Sequence, residues 1–168
     1  MKNSKAKNAA YFGIMVALAF TLSYLESLIP FNFGIPGVKL GLANLVVVAA
    51  LYFGGIKMAL PVAVIRILLA GITFGNVNSL LYSLGGGMLS LLVMWLLRNS
   101  RLSVIGVSIA GGVTHNIGQI IVAAIIMGTN KIAYYLPVLL VAGTVTGLLI
   151  GIAAKLIIER LPDIKSEK

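Results

Sequence analysis

The sequence predicts an all-α integral membrane protein, a six-transmembrane-helix bundle with both termini cytoplasmic. Three observations carry that expectation. Of the residues, 60% are hydrophobic and only 10% charged, with a mean hydropathy of +1.06; soluble domains carry about 25% charged residues. The apolar residues fall in long runs without a two-residue alternation, which suits membrane helices and not barrel strands. The basic residues then sort to one side of those runs.

The first run covers residues 9–29. It is too long for a signal-peptide core and lacks a clear cleavage site, so it is expected to be retained. The second, at 40–54, is short, because about 17 residues are needed to cross a bilayer. Tilt, or shielding by neighbouring helices, would accommodate it. Further spans are expected at 58–74, 80–97, 103–127 and 134–158. The joints "PFNFGIPG", "GGIK", "FGNVNS", "RNSR" and "GTNK" are rich in turn formers. The chain reads as a single transmembrane domain over 1–168, with cytoplasmic tails at 1–8 and 159–168. It has no cysteine, which excludes disulfides and thiolate-held metals.

A net charge of +9 suggests nucleic acid until the charges are placed. Alternating the spans puts Lys2, Lys5, Lys7, Lys57, Arg98, Arg101, Lys155, Arg160, Lys165 and Lys168 on one side. Lys39 and Lys131 fall on the other, and Arg66 lies within a span. That asymmetry predicts a multi-pass protein of the plasma membrane with both termini cytoplasmic. The charge reads as topology and contact with anionic lipid, with no nucleic-acid partner expected.

Orientation gives the polar residues depths. Arg66 falls near mid-membrane, where an Arg costs roughly 2.5–3.5 kcal/mol on insertion scales and needs a partner or a wet cavity. His115, in "THNIGQ", falls at a similar level, and helical spacing is expected to place His115, Asn116 and Gln119 on one face. Asn44, Glu26, Asn76, Asn78, Tyr82, Ser83 and Lys39 lie in the outer half or beside outer loops. The inner halves are almost purely apolar. An outward-facing pocket floored by Arg66 is therefore expected, with Lys39, Asn44, Arg66, Asn76, Tyr82, His115, Asn116 and Gln119 as candidate substrate-binding residues. Lys39, Arg66 and a protonatable His115 against one Glu favour an anionic or acceptor-rich small molecule. Four blander readings stay beside this one. Asn116 and Gln119 serve equally to bridge helices, a lone His115 suits a satisfied interior group, Glu26 is available to pair with Arg66, and Tyr82 and Ser83 suit an interface or a helix cap.

Two stripes of small residues allow close helix approach: Ala9, Gly13 and Ala17 in the first span, and Gly143, Gly147 and Gly151 in the last. Internal packing is the expectation for the last span. The first stripe suits packing or a partner equally.

"GVKLGLANL", "VIRILLAG", "SLGGGMLS" and "GVTHNIGQ", in this order, resemble the family named both Gx transporter and heptaprenyl diphosphate synthase component I. That family is similar to the substrate-binding S components of energy-coupling factor (ECF) transporters. The resemblance implies six helices, an outward-open ligand site and high-affinity capture of a small molecule such as a vitamin. It also implies a transmembrane scaffold subunit docked on the stripe Ala9, Gly13 and Ala17, and two ATPase subunits. In those proteins the docking motif is A-x-x-x-A, and Gly13 departs from it. ATP hydrolysis is expected from the partners, because the chain has no G-x-x-x-x-G-K-[ST] loop. The family's older name suggests prenyl transfer, which uses Asp-rich motifs to hold magnesium. The single Asp here is Asp163 in the tail. No catalytic residue, metal or cofactor is therefore expected in this chain. A non-catalytic subunit linked to isoprenoid metabolism, and a small stand-alone transporter, remain the alternatives.

Overall fold

The structure, a computed structural model, describes residues 2–29 and 41–161. The "FNFGIPG" joint and Lys39 lie outside the described residues. The described chain forms α1 (Lys2–Leu28), α2 (Leu42–Gly54), α3 (Ile56–Thr73), α4 (Val77–Leu97), α5 (Val104–Met127) and α6 (Leu136–Arg160). A short 3-10 helix, Asn130–Tyr135, leads into α6. Five of these helices are long and apolar enough to cross a membrane, and α2 is the shorter apolar one. The chain is thus a multi-pass helical membrane protein. The helix α1 runs back through the segment expected to be a tail, because Lys and Ala are strong helix formers whether or not lipid surrounds them.

The packing order closes a ring. α1 lies against α2 and α3, α3 against α4, α4 against α5, α5 against α6, and α6 returns to α2. The second helix thus touches α1, α3 and α6, and every residue from Val46 to Leu51 is buried. At 13 residues it is roughly 20 Å long, against a hydrocarbon thickness of about 30 Å. Its neighbours thus shield the short second run within the bundle. Leu51, Leu91, Met94 and Val107 join in the main core cluster, where α2, α4 and α5 meet.

Glycines set how closely the helices approach. A β-carbon built on Gly147 would lie 2.7 Å from Ile109 Cα, and one on Gly151 would lie 2.8 Å from Ile105 Cα. Gly143 meets Gly112 in the same seam. The stripe of α6 is therefore spent on α5. Gly86 of α4 comes as near, its β-carbon position 2.6 Å from His115 O of α5. The stripe of α1 differs: Ala9, Gly13 and Ala17 are exposed, and among the described residues nothing lies within 4 Å of a β-carbon on Gly13.

One joint has no linker at all. Gly55 ends α2 and starts α3 with φ 69°, a left-handed conformation that glycine adopts without steric cost. The end of α2 is reinforced by Arg98, whose Nη1 donates at 2.8 Å to Leu51 O, the carbonyl that also accepts the Gly55 N–H. Because successive helices alternate in direction, Lys7, Lys57 and Arg98 share one end of the bundle. Glu26, Gly41 and Asn76 share the other.

Candidate functional site

At the end opposite the basic residues lies a cavity of about 370 Å³, bounded by α1 to α5. The α1 wall is a polar stripe of Ser23, Glu26 and Ser27 at i, i+3 and i+4, the spacing that puts three side chains on one helix face. Gly41 and Asn44 come from the start of α2, and Arg66 with Ile67 and Phe74 from α3. Asn76, Ser79 and Ser83 come from α4, and His115 from α5. Phe74 is itself fixed between Phe20 and Tyr24, with ring centroids 5.8 Å away in both pairs.

Arg66 is the ten-residue step along α3 from Ile56, or roughly 15 Å from the helix start. Its Nη2 donates to Asn44 Oδ1 at 2.8 Å. Its Nε is buried without a hydrogen-bond partner among the described residues. Glu26 takes a different partner: its Oε1 accepts from Gly41 N–H at 2.6 Å. That bond ties the end of α1 to the start of α2, where a carboxylate also meets the positive end of the helix dipole. The one ion pair within 4 Å among the described residues joins Lys155 to Glu159, so Glu26 and Arg66 face the same cavity without direct pairing.

The other candidates divide. Asn76 lines the cavity, but its side chain also caps α4, accepting from Ser79 N–H at 2.9 Å while Ser79 Oγ accepts from Asn76 N–H. This is the reciprocal capping box. His115 lines the cavity at the α4–α5 seam. Gln119 is buried in that seam against Gly86, and its Oε1 has no hydrogen-bond partner among the described residues. Asn116 turns the other way, its Nδ2 donating to Leu139 O of α6 at 2.6 Å. The broad face of "HNIGQ" is thus split between α4 and α6, because neighbours in a helix diverge by about 100°. Tyr82 is half-buried and outside the cavity lining.

Ser23, Ser27 and Ser79 were not among the sequence candidates. The polar i, i+3, i+4 pattern of Ser23, Glu26 and Ser27 in an otherwise apolar stretch is the signal that points to the two serines of α1. Their hydroxyls are partly committed: Ser23 Oγ donates to Ala19 O and Ser27 Oγ to Tyr24 O. In chemical terms the cavity offers one guanidinium, one carboxylate, one imidazole and several hydroxyls and amides. It has hydrogen-bonding capacity, and the described residues contain no cluster of three metal-ligating side chains.

No curated protein and no solved structure matches the chain. A family model does, over residues 15–157, from the middle of α1 almost to the end of α6. With every wall of the cavity inside that stretch, the chain belongs to the heptaprenyl diphosphate synthase component I family.

Proposed function

We propose that this protein is the substrate-binding subunit, or S component, of an ECF-type importer, capturing a small anionic or acceptor-rich molecule from outside. The family name and the apolar bundle fit a membrane protein linked to isoprenoid metabolism or transport. The observation that carries the transport reading is the Arg66 floor. A buried donor without a partner costs about 1–3 kcal/mol, and more when charged. A ligand carboxylate or phosphate oxygen reaching Nε would remove that cost. Asn44 supports the geometry by holding Nη2 and so fixing the guanidinium plane. A cavity of about 370 Å³ falls within the range of small-molecule sites, roughly 300–1,000 Å³.

The reading assigns Arg66, Asn44, His115 and Asn76 to ligand contact. Asn116 and Gln119 then support the α5 wall. The exposed stripe Ala9, Gly13 and Ala17 supports docking of a scaffold subunit, since no helix among the described residues covers it. Energy would come from ATPase partners.

Gentle solubilisation of native membranes should bring down the chain with a transmembrane scaffold and two ATPase subunits. Denaturing the purified chain should release a stoichiometric small anion, visible by mass spectrometry. Recovery with a soluble prenyl-transfer subunit and no ATPase would favour the isoprenoid reading instead.

A further inference from the structure

The basic end of the bundle holds a second, larger cavity of about 800 Å³, between the start of α1, the α2–α3 joint and the end of α4. Lys7, Lys57 and Arg98 line it from three different helices or their ends, and none of its lining residues is acidic. Like charges gathered on one concave surface repel one another and raise the local potential for anions. Arg98 is held in position by its bonds to Leu51 O and Asn99 Oδ1, at 2.8 and 3.4 Å. Lys7 and Lys57 are exposed, with no acid within ion-pair distance among the described residues.

The rest of the wall chooses among anions. Phe12 and Phe53 line the same groove, as do Tyr11 and Trp95, which are 42% and 41% exposed. Tyr and Trp at the ends of membrane helices sit at headgroup level, with the ring on the apolar side. A soluble anion would leave that aromatic surface unused, whereas an amphiphile uses both parts.

We propose that this groove binds the phosphate headgroup of an anionic membrane lipid, seated between Lys7, Lys57 and Arg98 with its chains along the Tyr11 and Trp95 side. The site is separate from the Arg66 cavity and does not rest on the importer reading.

Native mass spectrometry of the full chain, equilibrated with equal amounts of phosphatidylglycerol and phosphatidylcholine, tests it. The wild type should retain phosphatidylglycerol preferentially. Near a membrane surface each Lys contributes about a five-fold preference, so Lys7→Gln with Lys57→Gln should lose roughly 25-fold. Arg101→Gln with Arg160→Gln, at the same end but outside the groove, should lose little. A preference that survives the groove variant, or an equal loss in the control variant, overturns the proposal. Displacement of bound lipid by millimolar inorganic diphosphate reassigns the groove to a soluble phosphate and overturns the lipid source. Should the double variant fail to fold, Lys57→Gln alone must lose about five-fold, and an unchanged preference overturns the site.

Discussion

At the scale of single residues, Arg66 and Glu26 have separable roles although they face one cavity. Arg66→Ala should leave the fold intact and weaken binding of an anionic ligand by roughly 30-fold to several-thousand-fold, the usual cost of removing one member of a desolvated charged contact. Isothermal titration with the ligand recovered from the purified protein checks this. Unchanged affinity would remove Arg66 from the site. Glu26→Ala acts elsewhere, on the bond to Gly41 that ties α1 to α2. It should lower stability by about 1.5–3 kcal/mol, the range for a charge-assisted hydrogen bond, read as a fall in melting temperature. The sequence alone made Arg66 conspicuous, because an Arg inside an apolar run demands an explanation. It did not distinguish Glu26 as a tether from Glu26 as a counter-ion, because that depends on where Gly41 sits across fifteen residues of chain. Asn116 was equally ambiguous, since the identity of the helix beside α5 on each side is not written in α5.

At the scale of elements, the two small-residue stripes have opposite fates and opposite predictions. Gly147→Val should destabilise the isolated protein by about 1–3 kcal/mol or more, because the added carbons meet the backbone of α5 at 2.7–2.8 Å. Thermal stability in detergent measures it. Gly13→Trp should leave that stability unchanged, since the position faces open space, and should abolish assembly with a scaffold subunit while ligand binding persists. A loss of melting temperature comparable to that of Gly147→Val would show that α1 packs against its own bundle. Five helices were legible within a few residues of their ends because apolar runs stop at turn-forming joints such as "FGNVNS" and "RNSR". The start of α1 was not, because a helix persists where hydropathy has already ended.

At the scale of the whole molecule, orientation decides which cavity meets which compartment. Single cysteines are informative here because the chain has none of its own. A membrane-impermeant thiol reagent applied to intact cells should label Lys131→Cys and spare Arg101→Cys. The opposite pattern would put the Arg66 cavity inside and the basic groove outside. The ring order of the helices was the least legible feature, since periodicity reports that a helix has a buried side without naming what buries it. The helix α2 shows a further consequence. Buried all round from Val46 to Leu51 and roughly 20 Å long, it offers the insertion machinery no complete span of its own. Gly55 leaves no free chain between it and α3, so the pair is expected to enter the membrane as one hairpin. A nascent chain halted after α2 should then fail to hold that helix in the membrane, whereas one halted after α3 should retain the pair.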